Sequence, residues 1–175
     1  SNNMDASAAA DGSAVDVTGA DPEAADPEPA DTAVGAAVAI NVADMRNVAI
    51  AGADTTVSGA GFTATALMKP AGGDSLHEFG ATAKSGAAAG ETGVAGSFAL
   101  NIVNPAGGSV TEAGIRGGAS VNANAGNVTI SAASATDSEA RAEAEVEGGA
   151  ATGVGASIAI QVVDNDVSAR VADGA

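Results

Sequence analysis

The sequence predicts an all-β protein, a repetitive β-solenoid of the parallel β-helix kind built from repeats of about 60 residues. Three similar phrases carry this prediction: "AVGAAVAINVADMR" begins at Ala33, "GVAGSFALNIVNPA" at Gly93 and "GVGASIAIQVVDND" at Gly153. Within each phrase large apolar residues alternate with small or polar ones, and such period-two alternation is typical of a β-strand. Gly, Asn and Asp end the several short strands of each unit, as in turns between strands. A β-sandwich of intertwined repeats is the alternative fold.

Residues 1–32 differ from the rest of the chain. They hold eight acidic residues and no Lys or Arg, and "DPEAADPEPAD" places three prolines among the acids. This composition favours an acidic, Pro/Ala-rich leader or linker that is partly disordered. We therefore expect the β-repeat domain to span 33–175, with units starting near 33, 93 and 153, the last of them incomplete.

The constant spacing predicts rungs, which we define as rows of equivalent residues from successive repeats. We expect the large residues to face inward, where they would form a continuous internal stack. The opposite face is small or carries an amide, which suits either solvent or a close neighbouring sheet, and its Asn41, Asn101 and Gln161 could form an amide ladder. The predicted inward rungs are Val38, Phe98 and Ile158; Ile40, Leu100 and Ile160; and Val42, Ile102 and Val162.

The remainder of each unit also has the pattern of strands. "TTVSGAGFTATAL" from Thr55 corresponds to "ASVNANAGNVTISAAS" from Ala119. Phe62 then matches Val128, an offset of 66, so the second unit carries a short insertion near Pro105. "SEARAEAEVEGG" from Ser138 alternates alanines with charged residues, and its counterpart lies near 81–85. A unit of this length forms either one large coil or about three coils of roughly 20 residues.

Composition excludes several function classes. The net charge is −16, with six Lys and Arg residues together, and phosphate recognition needs a basic face, so we expect no nucleic-acid partner. The sequence has no apolar run of about 18 residues, so we expect no membrane insertion. There is no Cys, which excludes disulfides and thiolate metal sites. With no Trp or Tyr and three Phe, the expected core is thin.

The phrase "GVGASIAIQVVDNDVSARVADGA", taken with "ASVNANAGNVTISA", resembles the repeats of very large bacterial surface adhesins. That group includes filamentous-haemagglutinin-like exoproteins, leukotoxin-type filamentous adhesins and autotransporter passengers. The resemblance covers 33–175 and implies an extracellular β-helical stalk that projects or displays other domains. It brings no catalytic residues with it. The long unit and the acidic leader depart from the haemagglutinin-type pattern.

Two stretches have the residue types of a functional site. Asp164, Asn165 and Asp166 are closely spaced oxygen donors of the kind that calcium prefers, although a turn also explains them. "GDSLH" at 73–77 resembles the nucleophile block of GDSL-type hydrolases, with Ser75 as the nucleophile. Such a serine needs a His held by an Asp, and the chain's one His, His77, lies two residues away rather than in a block of its own. We interpret this stretch as a loop.

The sequence thus predicts a non-enzymatic structural or adhesive module of a large secreted or cell-surface bacterial protein. Its expected partners are the neighbouring repeats, a host or cell-surface receptor, and further copies joined head to tail. No cofactor is expected. A calcium-dependent binding or self-association module is the alternative function, and a hydrolase using Ser75 is a remote one.

Overall fold

A computed structural model describes residues 3–12, 31–70, 73, 76–88, 91–104, 109–147 and 151–175. These ranges contain thirteen β-strands and no helix, so none of them holds a helix that could cross a membrane. The strands are β1 (Asn3–Asp11), β2 (Thr32–Ala43), β3 (Arg46–Ala51), β4 (Thr56–Ser58), β5 (Phe62–Leu67), β6 (His77–Ala88), β7 (Thr92–Val103), β8 (Ser109–Ile115), β9 (Ser120–Asn122), β10 (Val128–Ala133), β11 (Thr136–Glu147), β12 (Thr152–Val163) and β13 (Asn165–Val171).

Because the described residues form strands and no helix, the predicted all-β class is confirmed. Every strand pair in these ranges is parallel. Three sheets have three strands each, in the orders β1-β6-β11, β12-β7-β2 and β13-β8-β3. Two smaller sheets pair β10 with β5 and β4 with β9. We call the β1-β6-β11 sheet the acidic sheet and the β12-β7-β2 sheet the aliphatic sheet, after their outer faces.

The strand register confirms the repeat of about 60 residues. Val34 pairs with Val94 and Val94 with Val154, and all twelve positions of these strands keep the same spacing. No described pair joins residues about 20 apart, so each unit contributes one strand to a given sheet. The repeated phrase is therefore explained by residues that lie side by side in one sheet.

The predicted insertion in the second unit is also confirmed. Val103 pairs with Ala43, an offset of 60, whereas Val110 pairs with Arg46, an offset of 64. The extra residues therefore lie between Val103 and Val110, around Pro105. Phe62 pairs with Val128, as the sequence predicts.

The predicted boundary at residue 32 is wrong for the first part of the leader. Asn3–Asp11 forms β1 and pairs with β6 over nine positions, from Asn3 beside Glu78 to Asp11 beside Gly86. Ala6, Ala8 and Ala10 pack against the alanine core while Ser7 and Ala9 between them lie outward. The acidic composition concealed an alternating strand of the same kind as β11. The predicted short strand at "SAVDVTG" lies outside the described residues.

The aliphatic and acidic sheets pack face to face through small side chains. The core between them is formed by alanines at 0–5% exposure, Ala37, Ala39, Ala81, Ala83 and Ala99, joined by Ala33, Ala87 and Ala95. Gly12, Gly35 and Gly86 mark the closest approach. A Cβ at Gly35 would overlap the Gly86 carbonyl oxygen of the opposite sheet, and a Cβ at Gly12 would lie 2.8 Å from the Gly35 nitrogen. Larger side chains do not fit between sheets held this close.

This packing corrects the predicted direction of the rungs. The rungs exist in the predicted register, but their large side chains point away from the core. Val38, Ile40 and Ile158 are 59%, 54% and 57% exposed, while Ala39 and Ala99 are buried. The expected internal stack of large residues is therefore wrong for the aliphatic sheet. Along the middle of the strands the space between the two sheets is filled by alanines and amides, and larger side chains (Phe79, Val103 and Val146) enter it only at the strand ends.

Larger apolar side chains do fill the interior elsewhere. Ala51, Ile115 and Ala119 form a core cluster against which Phe62, Val121 and Ile130 pack. A second cluster joins Phe79 and Val103 with Ala43 and Met45 where β7 ends. The first cluster lies among the shorter strands, whereas the second lies between the acidic and aliphatic sheets at one end of the alanine core.

Candidate functional site

The most distinctive surface is the outer face of the aliphatic sheet, which we call the aliphatic face. Its exposed large residues are Val34, Val38, Ile40, Val42, Val94, Val154, Ile158, Ile160 and Val162. Phe98, Leu100 and Ile102 lie in the central strand between them and are half-buried. In the described residues, nine of the seventeen exposed large hydrophobic side chains lie on this one face.

The aliphatic face is uncharged along the whole length of its strands. The in-register pairing aligns a row of threonines, Thr32, Thr92 and Thr152, at one end. The next row is all valine, and Ala36, Gly96 and Ala156 form a shallow line between this row and the three larger rungs. Asp44, Asn104 and Asp164 follow directly after the strands at the other end. The face is therefore an apolar rectangle with polar ends.

An amide ladder lies beneath the aliphatic face and joins the two sheets. Asn101 is fully buried, and its Nδ2 donates to the Phe79 carbonyl at 2.8 Å. Asn41 donates to the Met4 carbonyl at 2.9 Å and to Asn101 Oδ1 at 3.1 Å. Gln161 donates to the Ser138 carbonyl at 2.8 Å.

The three acceptors of the ladder are equivalent residues of the acidic sheet. Met4 and Ser138 both pair with Phe79, so each amide reaches the same register position on the strand opposite it. Burial of an amide is favourable only when its hydrogen bonds are made. The ladder therefore fixes the relative position of the two sheets, and with it the outward direction of the aliphatic residues.

The acidic sheet presents the opposite chemistry on its outer face. Glu78, Asp137, Glu139 and Glu145 are exposed there, as Asp5 is on β1. Lys84 lies 3.8 Å from Glu145. Arg141 donates to the Glu143 carboxylate, and this hydrogen bond lowers the pKa of Glu143. The predicted alternation of "SEARAEAEVEGG", with alanines on one face and charges on the other, is confirmed.

Glu112 on β8 is a buried carboxylate held by two arginines. Its side chain is 7% exposed; Arg116 Nη2 donates to Oε2 at 2.6 Å, and Arg170 donates to Oε1 through Nε at 2.9 Å and Nη2 at 2.8 Å. Arg170 belongs to the next repeat, so this cluster connects β8 with β13. Both arginines are partly exposed, which reduces the electrostatic gain.

Replacing Glu112 with glutamine is expected to lower the free energy of unfolding by about 1–3 kcal/mol, because two neighbouring guanidinium groups lose their shared carboxylate. The measurement is urea unfolding followed by far-UV circular dichroism. Glu143→Gln is the matched control: Glu143 also pairs with an arginine, but at the exposed surface, so its midpoint should hardly change. Equal effects of the two substitutions would contradict the structural role of the Glu112 cluster.

The predicted metal residues are not brought together. Asp164 follows β12, and its carbonyl accepts from Asn104 Nδ2 at 2.8 Å. Asn165 and Asp166 are consecutive residues of β13, so their side chains point to opposite faces. In the described part of the chain, no group of three or more His, Cys, Asp or Glu residues is placed to hold a metal ion. A calcium site stays a prediction of the sequence.

Ser75, the predicted nucleophile of the hydrolase alternative, lies outside the described residues. His77 is the first residue of β6; its amide donates to the Ala135 carbonyl at 3.0 Å, and its ring stacks on Phe79 with centroids 6.1 Å apart. The imidazole thus belongs to the edge of the core cluster around Phe79.

Sequence reasoning found the rungs but missed the aliphatic face, because it placed these residues inside. The small and amide residues that alternate with the large ones were the signal that could have revealed this face. Ala, Gly, Ser and Asn in every second position fit a narrow gap between two sheets.

Comparisons with protein-family models, with curated proteins and with solved structures found no match.

Proposed function

We propose that this chain is a β-solenoid segment and serves as a non-enzymatic structural module, a stalk or adhesion surface, of a large secreted or cell-surface bacterial protein. In this proposal each repeat is one large coil, with the strands of successive coils paired in parallel. The alternative fold, a β-sandwich of intertwined repeats, is less compatible with strands that are all paired in parallel at a constant spacing.

The observation that carries the proposal is the register of the aliphatic sheet. Twelve consecutive positions of β2, β7 and β12 pair at one spacing, so each repeat adds a strand to the same ladder. Backbone hydrogen bonds and nearest-neighbour packing then supply the order, as in other one-dimensional repeat proteins. Such a stack lengthens by repetition alone, which is the property that a stalk requires.

The surface location and the partner class rest on composition and resemblance. Cysteine-free, acidic, Gly/Ala/Val-rich repeats resemble those of bacterial surface adhesins, and the strong negative charge favours partners other than nucleic acid. Labelling of intact cells of the source organism by an antibody against this chain is expected. Labelling only after permeabilisation would contradict the location.

Mechanical unfolding of the full chain tests the stalk. Pulled between terminal handles, the chain is expected to resist extension and then yield in steps near about 200 Å, the extended length of one 60-residue repeat. The same force peaks should appear with excess calcium and with chelator, and circular dichroism should show equal β content in both. Smooth extension without force peaks would contradict the stalk.

The measurements with calcium and with chelator distinguish the structural module from a calcium-dependent module, and an active-site probe distinguishes it from a hydrolase. Folding or a sharply raised melting temperature only with calcium would support the calcium-dependent module instead. Covalent labelling of Ser75 by a fluorophosphonate probe would contradict a non-enzymatic function.

A further inference from the structure

The aliphatic face is as large as the largest apolar patches of typical monomeric proteins, and it carries no charge. Its three strands have twelve residues each. At about 3.3 Å per residue and about 4.8 Å between strands, the face measures about 40 Å by about 14 Å, or about 550 Å². Contiguous apolar patches above a few hundred Å² generally mark an interaction site. A patch of this size is often functional, so this face is a candidate docking surface.

We propose that the occupant is a second copy of the chain, so that two aliphatic faces pack against each other around a two-fold axis near Phe98 and Leu100. An isologous contact requires one surface to complement itself. The rows of valine, isoleucine and leucine meet this condition because they are flat, uncharged and repeated on all three strands. Two sheets packed in this way lie about 10 Å apart, the spacing that aliphatic side chains fill.

The size of the face agrees with a specific but weak dimer. Two faces of about 550 Å² bury about 1,100 Å² in total, just above the roughly 1,000 Å² expected of a specific interface. Because buried area does not convert directly to affinity, we expect a weak, reversible contact that is populated at micromolar to millimolar concentrations. The threonine row at one end and the exposed Asp44 and Asp164 at the other form polar ends of the interface.

The charge distribution favours this face over the other surfaces. The chain carries a net charge of −16, so two copies repel each other wherever their acidic surfaces meet. The outer face of the acidic sheet is the least suitable contact, since Glu78, Asp137 and Glu139 would oppose their own copies. The aliphatic face carries no charge and is the surface on which apolar burial is not opposed by direct repulsion. The proposal does not depend on the stalk function.

Sedimentation velocity on the full chain, from about 1 µM to about 1 mM, tests the dimer. A reversible monomer–dimer equilibrium is expected, and sodium sulfate should strengthen it because the contact is apolar. The variant Val38→Lys with Ile158→Lys should weaken dimerisation by at least about 100-fold, since both lysines would be desolvated in the contact. Ser7→Lys with Thr82→Lys is the matched control, because it makes the same charge change on the acidic sheet and should still dimerise.

A cysteine scan supplies a second measurement that does not depend on the lysine variants folding. The chain has no cysteine of its own. A single Leu100→Cys near the proposed axis should cross-link to its copy with a short bifunctional maleimide, whereas Thr82→Cys should not. A chain that remains monomeric at all concentrations, or equal behaviour of the two lysine variants, would overturn the proposal. Binding of an apolar dye or vesicle by a monomer would assign the face to another occupant and would also overturn it.

Discussion

Replacing Ala99 with leucine is expected to lower the free energy of unfolding by about 3 kcal/mol or more, enough to prevent folding if the protein is marginally stable. Ala99 is fully buried in the central strand and packs with Ala81 and Ala83 of the opposite sheet. The two sheets are held close together at Gly35 and Gly86, so they cannot move apart at Ala99 to accommodate a larger side chain. The measurement is urea unfolding followed by circular dichroism.

Leu100→Ala is the control for this prediction, because Leu100 is the next residue and points outward. Its loss should cost about 1 kcal/mol, the contribution of a half-buried aliphatic side chain. For the same reason Leu100→Asp should keep the fold, whereas it would break the internal stack if Leu100 pointed inward as the sequence pattern predicts. If Leu100→Ala destabilised the protein more than Ala99→Leu, the assigned faces of β7 would be reversed.

Replacing Asn101 with leucine is expected to cost about 2–4 kcal/mol, since it leaves buried hydrogen-bond partners unsatisfied. Asn101 donates to the carbonyls of Phe79 and Glu139 and to Ser138 Oγ, and its Oδ1 accepts from Asn41. Leucine matches the size of asparagine approximately but makes none of these bonds. The loss should appear as a lower denaturant midpoint in urea.

Gln161→Leu is the matched control on the same ladder. Gln161 lies at an exposed position and makes one hydrogen bond to the facing sheet, so its replacement should cost well under half as much. Asn41→Leu should have an intermediate effect, because Asn41 is buried but makes fewer contacts. Equal costs at the three positions would show that the amides do not connect the sheets through buried hydrogen bonds.

The leader illustrates how composition concealed a local pattern. Residues 1–32 are acidic throughout, and acidic segments with few large apolar residues are typical of linkers. Yet Ala6, Ala8 and Ala10 alternate with exposed residues in the same way as Ala140, Ala142 and Ala144 of β11. In this protein alanine is the core residue, so a strand needs no large apolar side chain to join the sheet.

The sequence by itself determined the strand class, the spacing of the repeats and the residues that share each rung. Val38, Phe98 and Ile158 pair as the 60-residue repeat predicts, and so do Phe62 and Val128, because repeats that stack in parallel place equivalent residues side by side. It did not determine which face of the strand is inside. Period-two alternation defines two faces, and hydrophobicity alone assigns the larger residues to the interior.

Only the tertiary structure decided that assignment. The acidic and aliphatic sheets approach so closely that a Cβ at Gly12 or Gly35 would overlap the facing backbone, and the middle of the gap is filled by alanine and hydrogen-bonded asparagine. The larger residues that alternate with them along the middle of β2, β7 and β12 therefore lie outside, where they form the aliphatic face, and Val103 is buried only at the end of β7. The distance between two sheets depends on residues far apart in the chain, which is why no local pattern contained it.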